Sequence, residues 1–263
     1  MIEKDLIFFR EWFDGYTKTF ISSDEKDRKN IELKIEHSLR VAENIVKISE
    51  SLSLNANEVL LAETVALFHD LGRFPQYALY KTFQDRKSVS HGLLGTKVLL
   101  KENVLDRLPD FEKDLIIKSV KFHGAYKIPN IFGEKIRFFL KLIRDADKVD
   151  IYRVFIEYYE SPEEDRASAT AFGVPDSPEY SKTMLSCMKQ KKVASYSLIK
   201  TENDFRIMKL SWLYDMHFDE SVRIICKRNY INKITNKLPQ TEEVKSAISV
   251  LNKFIDERLK GDG

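Results

Sequence analysis

The sequence is poor in cysteine, glycine and proline, and each shortage excludes a class of protein. Its two cysteines, Cys187 and Cys226, stand far apart without a CxxC motif, which argues against a disulfide framework or a cysteine zinc site. The nine glycines and seven prolines separate helix-like segments and form no repeat or low-complexity tract. The 263 residues suffice for one large domain, or for a core domain with an appendage.

Long apolar runs and an excess of one charge are also lacking. No apolar run approaches the roughly 20 residues that cross a bilayer, and the N-terminal segment has no signal-peptide pattern. Lys and Arg number 43 against 41 Asp and Glu, a net charge of +2, so the composition gives no strong nucleic-acid or membrane signal. We therefore expect a cytoplasmic protein that binds neither a membrane nor nucleic acid.

Strand-type alternation of Val, Ile and Thr is nearly absent, and apolar residues recur at helical spacing, which predicts an all-α fold. Gly72 and Pro75 predict the end of one helix, and a polar loop is expected over residues 75–89. Ser90 is expected to cap the next helix. The predicted helices span residues 3–20, 31–52, 57–71, 91–102, 110–122 and 133–160.

The three prolines of residues 161–180 predict a loop or domain boundary. We expect residues 1–160 to form the core and residues 181–263 a C-terminal helical extension, packed on the core as one unit. Interruptions of the extension are expected near Asn203 and Pro239. The long apolar pattern of the extension is compatible with a homodimer.

Histidine is scarce too, yet four of the five histidines are predicted to face inward. His37 shares one side of its helix with Leu33, Val41 and Ile48. Similar apolar settings surround three more histidines: His69, His91 and His123. Taken alone, each is more typical of a hydrogen-bonded core residue than of a ligand.

Two aspartates change this interpretation. Asp147 falls on an aliphatic stripe of the helix at 133–160, a costly position for a carboxylate without a cation. Asp70 directly follows His69 at a helix end, where both side chains can reach one ion. Asp150 is placed to support a ligand from outside, or to pair with a nearby arginine. Imidazole and carboxylate groups converging from five helices predict a site for iron, manganese, zinc or nickel.

The ordered set resembles the HD superfamily of metal-dependent phosphohydrolases. The matching segments are EHSLRVAENI around His37, ALFHDLGRF around His69 and Asp70, and IRDADKVD around Asp147. The resemblance covers roughly residues 30–155 and implies an all-α, HD-type helical bundle with a C-terminal helical extension. It also implies that those four residues bind the metal shared by the family.

His91 and His123 resemble the two extra histidines of the dinuclear subclass, in which Asp70 is the bridging carboxylate. The implied cofactor is one or two divalent ions of iron, manganese, zinc, nickel or magnesium. The segments from Gly72 to Gly92 and LSWLYDMHF resemble a bacterial branch of HD proteins, and His217 in the latter does not match the ligand series. No H-H-E…G-Y-P segment follows His123, which disfavours the cyclic-di-GMP phosphodiesterases.

The resemblance implies hydrolysis of a phosphate ester, with a nucleotide or a related small phosphorylated metabolite as substrate. Asp70 is expected to act as a ligand first and to orient the nucleophilic water. Arg73, Lys87 and Lys148 are the predicted substrate-binding cations, although Arg73 also suits a helix C-terminus. Two alternatives remain: a mixed-valent diiron oxygenase that uses the same six ligands, and a non-catalytic sensing or interaction module.

Overall fold

A computed structural model describes residues 1–170 and 173–260. These residues form helices and loops, and none of them lies in a β-strand, so the predicted all-α fold is confirmed. The α-helices are α1 (Glu3–Lys18), α2 (Glu25–Ser51), α3 (Ala56–Phe68), α4 (Arg73–Tyr80), α5 (His91–Lys101), α6 (Asp110–Phe122), α7 (Glu134–Glu160), α8 (Lys182–Lys189), α9 (Glu202–Ser211), α10 (Asp219–Lys227), α11 (Tyr230–Thr235) and α12 (Glu242–Lys260).

Capping side chains fix several helix starts. α2 begins earlier than predicted because the Asp24 side chain accepts a hydrogen bond from the Asp27 backbone N–H at 2.8 Å. Ser90 caps α5 as predicted, accepting from the backbone N–H of Leu93. The interruption predicted near Asn203 lies just before that residue, because α9 starts at Glu202 after its cap, Thr201.

The predicted loop over residues 75–89 was wrong in its first part, because α4 occupies Arg73–Tyr80. Pro75 does not end a helix here. It lies in the first turn of α4, where a backbone N–H has no helical partner to lose. The helix ends at Lys81, which adopts a left-handed conformation with φ 53°.

The described chain divides into two compact units. The first contains residues 1–154 together with the segment that starts at Tyr158, and its core includes α1, α2, α3, α5 and α6. Aromatic side chains fill part of this core: the ring of Phe68 meets Phe9 edge-on, and Phe74 meets Phe13 in the same way. Buried packing of this kind holds the helices at fixed distances.

The second unit contains residues 155–157 and the described chain from residue 173 onward. Its helices α8 and α12 pack together, and α8 also contacts α9. The Lys209 ammonium lies 3.7 Å from the ring centre of Trp212 and 4.9 Å from that of Phe205, a cation–π cluster inside this unit. Within residues 1–170 and 173–260, no helix has the length and apolarity needed to span a bilayer.

Candidate metal centre

Six side chains of the first unit converge, and most of them stand at helix ends. His69 and His123 are the residues that close α3 and α6, and His91 is the first residue of α5. His37 lies within α2, and the fifth helix, α7, supplies Asp147. The histidines and Asp70 are buried, whereas the Asp147 side chain keeps 20% of its surface exposed.

One cluster of ligand atoms comes from α2, α3 and α7. The Nε2 atoms of His37 and His69 are 3.3 Å apart. Asp147 Oδ1 lies 3.1 Å from His37 Nε2 and 3.7 Å from His69 Nε2. The Oδ2 atom of Asp70 faces the same two nitrogens at 3.6 and 3.7 Å.

A second cluster faces the other oxygen of Asp70. His91 Nε2 and His123 Nε2 are 3.0 Å apart. They lie 3.5 and 3.8 Å from Asp70 Oδ1. Each oxygen of this one carboxylate therefore faces its own pair of histidines, which is the arrangement of a carboxylate shared between two neighbouring cation sites.

Backbone carbonyls fix the ring orientation of two histidines. His69 Nδ1 lies 2.6 Å from the carbonyl oxygen of Ala66, and His123 Nδ1 lies 2.8 Å from that of Val120. Because a carbonyl oxygen only accepts, each Nδ1 must carry the proton. When such a ring is neutral, its Nε2 atom presents a lone pair to the centre of the site.

Carboxylates orient the rings of His37 and His91 in the same way, because they contact Nδ1 and leave Nε2 directed inward. His37 Nδ1 lies 2.7 Å from Asp150 Oδ2, and the guanidinium of Arg153 holds the Asp150 carboxylate from its other side. His91 Nδ1 lies 2.7 Å from Asp85 Oδ2. A carboxylate beyond a histidine is a recurring support of metal ligands, because it orients the ring and raises its basicity.

The resulting donor set fits divalent cations. Four imidazole lone pairs and the carboxylates of Asp70 and Asp147 point at one another, and three overlapping groups of them have ligand atoms within 4.8 Å. Lone pairs facing each other at 3.0–3.3 Å repel unless a cation or a shared proton lies between them. Imidazole and carboxylate ligands suit iron, manganese, zinc and nickel.

The protonation states favour metal binding. Burial, with His91 and His69 nearby, lowers the pKa of His123 to about 3. Burial and Arg73 likewise lower the pKa of His91. Burial opposes ionisation of Asp70, but Lys34, His69 and Arg73 prevail and hold its pKa well below the usual range. His37 is the exception: burial and Lys34 oppose its protonation, but hydrogen bonds to Asp147 and Asp150 prevail and raise its pKa, so a proton competes with a cation at this ring.

Two glycines bring the helix ends together. A Cβ atom on Gly72 would lie 1.9 Å from the carbonyl oxygen of His91, so α4 starts directly against α5. A Cβ on Gly92 would lie 2.6 Å from the carbonyl oxygen of Lys121, so α5 also starts against the end of α6. These contacts place His91 beside both Asp70 and His123.

The predicted substrate-binding cations lie in different places. Arg73 Nε is 3.3 Å from Asp70 Oδ1, and its Nη1 binds Gln76, Asp85 and the carbonyl oxygen of Phe83. Lys87 is exposed in the short turn Asp85–Lys87, and no contact joins it to the six convergent residues. Lys148 is half-buried on α7, next to Asp147 in sequence. Arg73 is thus the predicted cation for which residues 1–170 and 173–260 show a hydrogen bond to Asp70.

Two residues of the site were missed by the sequence reasoning. Lys34 Nζ lies 2.7 Å from Asp70 Oδ2, and its spacing of three residues from His37 on α2 was a usable signal. Asp85 gave no such signal, because it lies in an irregular segment whose path cannot be read from periodicity. Its contacts with both His91 and Arg73 appear only in the folded chain.

Comparison with known proteins gives one family. Residues 35–152 match the family model described as the HD domain, a segment that includes all six convergent residues. No curated protein and no solved structure matches the chain.

Proposed function

We propose, from the match of residues 35–152 to the HD-domain family model, that the chain hydrolyses a phosphate ester of a nucleotide or related small metabolite. HD domains bind divalent metals and are in general metal-dependent hydrolases. The finer reaction and substrate are our proposal. Its main support is the position of Asp70, whose two oxygens each face a separate pair of histidines.

The convergent residues have different roles in the proposed reaction. Divalent ions at such a site supply Lewis acidity, which makes water nucleophilic near neutral pH and neutralises phosphate charge. His37, His69 and Asp147 would hold one ion, His91 and His123 would hold the other, and Asp70 would offer one oxygen to each. Asp70 also accepts a hydrogen bond from the attacking water and orients it.

The outer residues keep these ligands in place. Asp150 and Asp85 hold the Nδ1–H groups of His37 and His91, so both rings keep their lone pairs directed inward. Arg73 is fixed by Gln76, Phe83 and Asp85. Its guanidinium beside Asp70 is suited to grip an oxygen of a phosphoryl group.

The test is phosphate release by metal-depleted protein reloaded with Mn²⁺, Fe²⁺, Zn²⁺, Ni²⁺ or Mg²⁺. The substrates are nucleoside mono- and triphosphates, cyclic nucleotides and sugar phosphates, and oxygen uptake is recorded in parallel. We expect hydrolysis of at least one class, lost in Asp70→Asn and retained in Lys47→Ala, which changes an exposed lysine of α2. Oxygen consumption without phosphate release in the iron-loaded protein would support a diiron oxygenase instead. Neither activity with any ion would support a sensing module.

A further inference from the structure

Lys34 occupies an unusual position for a lysine. It lies one turn before His37 on α2, its side chain is 15% exposed, and its Nζ is 2.7 Å from Asp70 Oδ2. That oxygen is the one that faces His37 and His69. The ammonium group therefore lies on the ligand atom that the first cation would use.

The Lys34 ammonium can leave Asp70 without breaking another hydrogen bond. Within residues 1–170 and 173–260, its ammonium donates a hydrogen bond to Asp70, and otherwise rests 5.3 Å from the ring centre of Phe83. Arg73, on the other oxygen of Asp70, is anchored by three further partners. A divalent ion on Asp70 would repel the adjacent ammonium, and of the two cations only Lys34 can turn away without breaking other hydrogen bonds.

We propose that Lys34 has two successive partners: Asp70 when the centre lacks its ion, and an anionic oxygen of the substrate once the ion is bound. The displaced ammonium stays near the centre because the Lys34 side chain is largely buried one turn before His37, and it faces the Asp70 oxygen that Arg73 does not contact. The two cations then flank a phosphate-sized anion. This inference rests on the proposed function for the identity of the anion, but its metal-binding part is independent of it.

The experiment compares Lys34→Met with Lys47→Met, which removes an exposed lysine of the same helix. Mn²⁺ affinity is measured by calorimetric titration of the metal-free protein, and inorganic phosphate affinity by titration of the Mn²⁺-loaded protein. We expect Lys34→Met to bind Mn²⁺ about tenfold more tightly, because a neighbouring positive charge is gone. We expect it to bind phosphate about tenfold more weakly. Lys47→Met should match the wild type in both.

Lys34→Arg separates charge from packing and serves if Lys34→Met does not fold without metal. It should keep both affinities within about threefold of the wild type. Unchanged or weaker Mn²⁺ binding in Lys34→Met, or unchanged phosphate binding, would overturn the inference, as would tighter Mn²⁺ binding in Lys34→Arg. If wild-type protein hydrolyses no ester but the two affinities shift as expected, the proposed function fails and the role of Lys34 stands.

Discussion

The Nε2 atoms of His91 and His123 lie 3.0 Å apart, and neither nitrogen carries the proton of its ring. Both protons are held on Nδ1, by Asp85 for His91 and by the Val120 carbonyl for His123. Two lone pairs at this separation are unfavourable by themselves. The pair is therefore suited to hold a cation between its two nitrogens.

Metal content should report the two clusters separately. We expect wild-type protein purified without chelators to hold two divalent ions. His91→Gln should retain about one, because it removes a ligand only from the cluster facing Asp70 Oδ1. Asp70→Asn should retain less than one, since both clusters share that carboxylate. Elemental analysis checks this, and two ions retained in His91→Gln would mean that His91 is not a ligand.

The carboxylates behind the histidines should tune affinity without being ligands. Asp150→Asn weakens the support of His37, and Asp85→Asn that of His91. Each should lower the affinity of its own ion by about 10- to 100-fold, leaving the other ion nearly unaffected. Competition with a chromogenic chelator measures both constants. Equal effects of the two variants on both ions would contradict separate clusters.

The close approach at Gly72 predicts a large effect of one methyl group. Gly72→Ala places a Cβ against the backbone of His91 and Gly95, and should lower the free energy of unfolding by about 3 kcal/mol. Gly15→Ala is the matched control, because Gly15 lies exposed in α1 with no atom within 4 Å of a new Cβ. It should raise stability by about 0.5–1 kcal/mol. Urea denaturation of the metal-free proteins compares them.

The pKa of His123 gives a signed pH dependence. In the folded protein this pKa is lowered from 6.5 to about 3, so between these values the unfolded chain binds a proton that the folded chain does not. The contribution of His123 to stability is therefore complete above pH 6.5 and is lost progressively as the pH falls towards 3.

His123→Gln should remove this dependence. With a chelator present, the slope of unfolding free energy against pH should be smaller than in the wild type by about 1.4 kcal/mol per pH unit. Denaturation at several pH values between 4 and about 6 measures the slope. Parallel curves for the two proteins would mean that His123 titrates normally in the folded state.

Much of the fold was accessible from the sequence because its helices carry apolar stripes and capping residues. The start of α5 at Ser90 and the extent of α6 were predicted closely. α4 was not, because Pro75 was taken as a helix end although it sits in a first turn. A proline can follow the end of one helix or lie in the first turn of the next, and the sequence alone does not distinguish these positions.

The candidate site shows the same contrast between residues that could be predicted from the sequence and residues that could not. Residues on regular helices, such as His37 and Asp147, were predicted to face inward from helical geometry. Asp150 was predicted from the same geometry to support a ligand from outside or to pair with an arginine, and it lies 2.7 Å from the His37 ring and beside Arg153. Lys87 was selected as a cation by position in the chain alone, and it lies exposed. Asp85 depends on the path of an irregular segment, which sequence periodicity does not encode.

The unequal exposure of the ligands has a kinetic consequence. Asp147 keeps 20% of its side-chain surface open, whereas the side chains of Asp70 and the four histidines keep at most 8%. We therefore expect an ion to exchange with solvent on the side of Asp147. If the proposed hydrolysis holds, a substrate bound on that side would slow ion release, so release should be faster in the resting protein than during turnover.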